Sequence, residues 1–203
     1  SACTSDGTQQ AATGSAAAPP GAGVKQVVVT MTVNSEPEAG FDPLFSWGCG
    51  EHVHEPLIQS TLINTDLELG FVNDLATGYE VSADGMAWTF TLRDGVRFTD
   101  GEKLTAKDVA FTINGIINSE AAQADLSSIR EAVASDDSTV VLHMTHPDNT
   151  ILYTLAVVGI VPAHAYDQDY GRNPIGSGRY RLEQWDRGQQ VILTANPDYY
   201  GPA

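Results

Sequence analysis

The stretch Trp88-Thr89-Phe90-Thr91-Leu92-Arg93-Asp94-Gly95-Val96-Arg97-Phe98 decides how this chain is read. Trp88, Phe90 and Leu92 alternate with Thr89, Thr91 and Arg93, the period expected of a half-buried strand with its aromatics in the core. Asp94-Gly95 follows, and Val96-Arg97-Phe98-Thr99 alternates again. A two-residue Asp-Gly link between alternating runs predicts a β-hairpin closed by a type I′ turn, which needs φ > 0 at both central residues. Asp100-Gly101 predicts a second turn. From Thr105 to Ile117 the period becomes helical, with Val109, Ile113, Ile116 and Ile117 on one buried stripe. Thr105 and Asp108 predict a capping box, with a carboxylate beside the helix N-terminus.

Working outward, Val27, Val28, Val29 and Met31 form a β-branched run that suits a buried strand. Pro37, Gly40 and Pro43 then break the chain. Glu51 to Leu62 is expected to be helical, with Val53, Leu57, Ile58 and Leu62 on its apolar face; Pro56 limits how far that helix can run. Ser119 caps a further expected helix through Val133, with Leu126, Ile129 and Val133 inward. Thr139 to Met144 predicts a strand, Thr150 to Val157 a helix, and Ile160 to Pro162 a short strand. Tyr180–Trp185 and Gln190–Ala195 predict a β pair joined across Asp186-Arg187-Gly188. There is no internal repeat. Helices and strands mix without strict alternation, so the fold class is α/β, or mixed α+β, with a mixed sheet.

Charge narrows the function. The chain of 203 residues carries 10 Lys+Arg against 26 Asp+Glu, a formal net charge of −16. That balance excludes a nucleic-acid partner, which needs a basic footprint, and opposes docking on an anionic membrane face. It suits a soluble protein outside the cytoplasm. The sequence has no apolar run of about 18 residues, the minimum for a helical span. Two cysteines, Cys3 and Cys49, are too few for a disulfide scaffold. Residues 1–23 are almost all Ala, Gly, Ser, Thr, Gln and Pro, which predicts a flexible tether. Ser1 and Ala2 before Cys3, with that linker behind it, resemble a bacterial lipoprotein processing site. In that reading the signal peptide is absent and Cys3 is the lipid attachment point.

Chemistry-bearing motifs are sparse. The sequence has no Walker-type loop, no Gly-x-Gly-x-x-Gly after a strand and no Gly-x-Ser-x-Gly elbow. Asp136 and Asp137 read as a solvated loop, and nothing points to an enzyme. The densest cluster is His52-x-His54 near Cys49, Glu51 and Glu55, donors that suit Ni²⁺, Zn²⁺ or Cu²⁺. On a helix, residues two apart point about 200° from one another, so both histidines reach one ion only if the segment is extended. The plainer alternative is a polar helix start at the rim of a cleft. His143 and His146 read as structural or exposed. Trp47 sits in the Gly-rich loop Ser46-Trp47-Gly48-Cys49-Gly50, and either lines a ligand cleft or plugs the loop onto the core.

Several segments together carry a family resemblance. His54-Glu55-Pro56-Leu57-Ile58 is similar to the "Tyr-Glu-Pro-Leu-Val" helix end of family 5 extracellular solute-binding proteins, the peptide-, dipeptide- and nickel-binding receptors of ABC importers. Leu75 to Gly85, Trp88 to Phe98, Asp100-Gly101-Glu102 and Leu104 to Val109 resemble that family's hallmark run. Asn173 to Tyr180 resembles its "Pro-Ile-Gly-Thr-Gly-Pro-Tyr", with Arg179 in place of the last Pro. Asn196-Pro197-Asp198-Tyr199-Tyr200-Gly201 resembles its "Asn-Pro-x-Tyr-Trp-Gly". The matches run from Phe41 to Gly201.

The resemblance implies a type II periplasmic-binding-protein-like fold: lobe one with the extra subdomain of the peptide-binding cluster, truncated so that the second lobe lies outside the chain. Residues 24–46 and 174–203 would belong to the main sheet of lobe one, and residues 47–173 to the extra subdomain. The implied function is delivery of oligopeptide or dipeptide to an ABC permease, without catalysis and without a cofactor. The implied alternative is a nickel or metal-chelate receptor, with Ni²⁺ as cargo. Trp47, Cys49, His52 and His54 are the expected ligand-binding residues, with His52 and His54 as metal ligands. The implied setting is a bacterial cell surface or periplasm, with the membrane reached through the lipid anchor alone. The rival from another class is a metal-dependent hydrolase using the same His/Cys/Glu cluster.

Overall fold

The structure is a computed structural model that describes residues 26–30, 40–45, 56–122 and 124–201. The elements run β1 (Gln26–Thr30), β2 (Ile63–Thr65), β3 (Phe71–Asn73), β4 (Ala76–Val81), β5 (Ala87–Leu92), α1 (Ala106–Ile117), β6 (Ile129–Ala134), β7 (Thr139–Met144), α2 (Ile151–Leu155), β8 (Tyr180–Asp186) and β9 (Gln190–Ala195). They form a four-stranded antiparallel sheet in the order β4-β5-β7-β6, a three-stranded sheet β1-β9-β8 and the ribbon β2-β3.

The main core lies on one face of the four-stranded sheet. Trp88, Phe90, Leu92, Val140, Leu142 and Met144 point into it, and α1 covers it with Val109, Ile113 and Ile116. The predicted capping box is present. The Thr105 amide donates to Asp108 Oδ2 at 2.8 Å, and the Thr105 hydroxyl accepts from the Lys107 amide at 3.3 Å. Asp108 also accepts from the Ala163 amide at 2.9 Å, so one buried carboxylate caps the helix and fastens a distant loop. A smaller cluster of Phe41, Ile58, Val191 and Leu193 lies against the three-stranded sheet.

Several expectations are corrected. The Asp94-Gly95 turn forms, but only Gly95 has positive φ (76°), so the turn is not type I′. The chain then leaves the sheet: Val96 and Phe98 dive into the core, Arg97 pairs with Lys103, and β5 takes β4 and β7 as neighbours. The expected helix to Val133 is instead strand β6 over its last residues. A register shift between Ile129 and Glu131 puts Ile129 and Ala132 on the buried face. That bulge gives a strand a three-residue apolar spacing, which imitates a helix. Asn114 of α1 holds β6 in place, donating to Ala132 O at 2.8 Å and accepting from Ala132 N at 2.9 Å.

The described part of the expected Glu51–Leu62 helix, from Pro56, is irregular. Its carbonyls serve the start of β8 and the loop before it: Leu57 O accepts from the Tyr180 amide and Ile58 O from the Gly178 amide. Ile160–Pro162 belongs to no sheet; its backbone bonds go to Ser60 O and the Thr112 hydroxyl. β1 is a strand but not a buried one. It lies at a sheet edge, with Val28 and Val29 52% and 37% exposed.

Candidate functional site

Trp47, Cys49, His52 and His54 lie outside the described residues, as does Cys3. The described residues fix both ends of the segment that carries the four. On the near side, the Phe41 amide donates to Gly171 O at 2.7 Å. Gly40 makes this approach possible, because a Cβ there would sit 2.1 Å from Gly171 O and φ is +69°. On the far side, Pro56, Leu57 and Ile58 turn toward β9. Both ends meet at an apolar hollow of about 70 Å³ walled by Phe41, Pro43, Pro56 and Leu57.

A polar network lies beside the near end. Gln59 Nε2 donates to Phe41 O at 2.9 Å and to the Tyr170 hydroxyl at 3.0 Å. Tyr170 in turn donates to Ile175 O at 2.7 Å. Asp42 Oδ1 accepts from the Leu44 amide at 3.0 Å, and Asp42 Oδ2 accepts from the Tyr166 hydroxyl at 2.8 Å. Burial pushes the Asp42 carboxyl above the usual carboxylate range, and its two hydrogen bonds only partly offset that. Burial and the neighbouring Asp42 push the Tyr166 phenol up, so it stays protonated as the donor. Burial likewise pushes up the Tyr170 phenol.

Next to this network is a hollow of about 510 Å³ lined by Asp42, Phe45, Tyr166, Asp169, Arg172 and Arg187. Arg187 stacks on Trp185, its guanidinium carbon 4.4 Å from the ring centroid. The hollow presents charges of both signs, which suits a solute with separated positive and negative ends. The sequence reading missed Asp42, Gln59, Tyr166 and Tyr170. The partners Asp42 and Tyr166 are 124 residues apart, and neither lies in a periodic element. The only local signal was the break at Gly40-Phe41-Asp42-Pro43.

The histidines among the described residues sit apart. His143 is on β7, His146 pairs with the adjacent Thr145 hydroxyl at 2.9 Å, and His164 Nε2 meets Asp100 Oδ2 at 2.7 Å. No group of three or more His, Cys, Asp or Glu side chains converges as metal ligands among the described residues. No helix among them is long and apolar enough to cross a membrane.

The motif glycines and tyrosines act as joints. A Cβ on Gly176 would meet Ile58 O at 2.0 Å, and one on Gly178 would meet Leu57 O at 2.6 Å. Asn196 donates from its amide to Arg179 O at 2.7 Å and from Nδ2 to Gly178 O at 2.9 Å. Tyr200 donates to Asp74 Oδ1 at 2.5 Å, docking the Asn196–Gly201 segment behind the β2-β3 ribbon. These contacts tie segments of the scaffold together.

Known proteins share this scaffold. The probable D,D-dipeptide-binding periplasmic protein DdpA of Escherichia coli (strain K12) is 35% identical over 153 residues, 68% of this chain and 28% of its own length. NikZ from Campylobacter jejuni, in complex with Ni(L-His), superposes with a TM-score of 0.72 at 28% identity, over 82% of this chain and 35% of that one. The oligopeptide-binding protein AppA from Bacillus subtilis, in complex with a nonapeptide, gives 0.71 at 27% identity, over 82% and 36%. The chain spans about a third of the length of the curated relatives it matches. Over that span it takes the mixed α/β fold of type II periplasmic binding proteins. Residues 70–203 match the family model described as bacterial extracellular solute-binding proteins, family 5 Middle, and the chain belongs to that family.

Proposed function

We propose that this chain is part of a receptor that binds short peptides and hands them to the permease of an ABC importer. The observation that carries this reading is the hollow beside Phe45, whose lining brings Asp42, Asp167 and Asp169 together with Arg172 and Arg187. A peptide zwitterion has one end for each sign. The dipeptide-binding name of a 35% identical relative supports the same cargo class. The mechanism is binding without chemistry: solute contacts on two lobes lower the free energy of a closed state. In this reading residues 24–46 and 174–203 contribute to the main sheet of lobe one, and residues 47–173 form its extra subdomain. Cys3 carries the lipid that holds the receptor at the cell surface or periplasmic membrane.

A second reading, a nickel or metal-complex receptor, is favoured by the Ni(L-His) complex of a 28% identical structure. In it, His52 and His54 are the metal ligands, with Cys49 and Trp47 beside them. Calorimetric titration of the receptor at the length of its relatives separates the two readings. It uses a mixed peptide pool and Ni²⁺, with and without His52→Ala and His54→Ala together. Peptide binding that survives the double variant supports the peptide reading. Nickel binding that the double variant abolishes, without peptide binding, replaces it.

A further inference from the structure

Two hollows adjoin near the turn between β8 and β9. The one beside Phe45, of about 510 Å³, and another of about 480 Å³ walled by Asn173, Pro174, Leu182, Glu183 and Trp185 share two lining residues, Arg172 and Arg187. The arginines thus stand where the hollows meet. Arg187 is braced there: its guanidinium carbon lies 4.4 Å from the Trp185 ring centroid, and Phe41 meets the same indole edge to face with centroids 5.2 Å apart. Stacking on an aromatic face leaves the in-plane N–H fork of the guanidinium open to a ligand.

Neither guanidinium makes an ion pair or a hydrogen bond with any described residue. By contrast, Lys103, Lys107 and Arg130 are ion-paired, and Arg93, Arg97 and Arg181 donate to nearby oxygens. The carboxylates around the two hollows are engaged by other donors. Asp42 accepts from the Leu44 amide and the Tyr166 hydroxyl, and Asp167 Oδ1 from the Asp169 amide at 2.9 Å. Glu183 Oε2 accepts from Gln26 Nε2 at 3.0 Å, and Asp186 accepts from Gln184 and Gln190. In a chain of net charge −16, where carboxylates far outnumber cations, none of the described ones closes on this pair. A carboxylate from outside completes such a pair with charge-assisted, two-pronged hydrogen bonds.

We propose that Arg172 and Arg187 are the seat of the solute's terminal carboxylate, so that the receptor selects peptides with a free C terminus over the same peptides capped as amides. This rests on the peptide reading above and deepens it, since it names the end of the peptide that is read and the side chains that read it.

The test uses the receptor at the length of its relatives and two mixed tripeptide pools of the same sequences, one with free C termini and one amidated. The pools compete for the receptor, ultrafiltration separates bound from unbound peptide, and mass spectrometry reads the acid-to-amide ratio of the bound fraction. The wild type should enrich the acid roughly tenfold, as expected where a charge-assisted fork is lost with the amide. Arg172→Gln and Arg187→Gln together should bring the ratio close to one by weakening the acid alone. A wild-type ratio near one, a ratio that the double variant leaves unchanged, or a folded double variant that retains neither pool would overturn the seat and leave the peptide reading standing. A wild-type receptor that retains neither pool would overturn the peptide reading, and the seat with it. Both arginines are exposed, and the melting temperature shows whether the double variant is folded. If it is not, Arg172→Gln alone, which removes no ion pair or hydrogen bond to a described residue, decides by a severalfold fall in the same ratio.

Discussion

Gly176 lies directly against the backbone carbonyl of Ile58, so closely that a Cβ would stand 2.0 Å from that oxygen. The obstacle is backbone, not the end of a flexible side chain, so it cannot step aside. Gly176→Ala should therefore cost roughly 3 kcal/mol, at the upper end of overpacking effects. Gly95→Ala is the comparison: φ is +76° there, but the added Cβ would meet open space. It should cost only about 1 kcal/mol, the strain of a left-handed alanine. Urea denaturation of both variants measures the gap, and equal costs would mean that the contact with Ile58 is slack.

Asp108 serves two masters, the first turn of α1 and the amide of Ala163. Thr105→Ala removes one cap and should cost about 1 kcal/mol. Asp108→Ala strands the amides of both Thr105 and Ala163, and should cost roughly 2–3 kcal/mol. Denaturation midpoints at neutral pH check the order. Thr105→Ala as costly as Asp108→Ala would rule out the second role of Asp108.

The Asp42 carboxyl is pushed up by burial, so the folded chain holds its proton more tightly than the unfolded chain does. Between the unfolded and folded values the native state binds more protons, and stability from this group falls as pH rises. Exposed aspartates such as Asp84 and Asp136 are held low by hydrogen bonds and act in the opposite sense, losing stability in acid. Comparison with Asp42→Asn isolates the Asp42 contribution. The wild type should gain stability relative to the variant as pH falls from neutral into the carboxylate range. A difference that stays constant with pH would count against it.

Tyr200→Phe keeps the ring under Arg93 and removes the donor to Asp74 Oδ1. The loss of a hydrogen bond to a charged group should cost roughly 2 kcal/mol. Hydrogen exchange locates the effect: amides of β2 and β3 should open faster in the variant, while those of α1 keep their protection. Uniform loss of protection would show that the bond is not local to the ribbon.

Much of the fold was legible because Trp88–Val109 combines a clean strand period, a turn and a capped helix within one short stretch. The β8-β9 pair and β7 were legible for the same reason, as local patterns with marked ends. What failed was set by tertiary contacts. The bulge in β6 spaces Ile129 and Ala132 like a helix, and only its pairing with β7 reveals a strand. Pro56–Leu62 looks amphipathic, yet its carbonyls are taken by Gly178 and Tyr180, more than a hundred residues away. The Asp42–Tyr166 pair carries no local signature at all. The family motifs were readable because they are joints, and joints demand particular residues; nothing in them specifies a solute.

The joint at Gly176-Ser177-Gly178 has a mechanical meaning. Gly176 O accepts from the Thr99 amide, Gly178 donates to Ile58 O, and Tyr180 donates to Leu57 O as it enters β8. The loops beside the four-stranded sheet and the start of the three-stranded one are thus riveted to a single spine. Rocking one sheet against the other would break several backbone bonds and drive a backbone carbonyl into a spot with no room for it. Both sheets must therefore swing together as one lever arm. In the receptor proposed above, closure around a solute would leave this spine unbent.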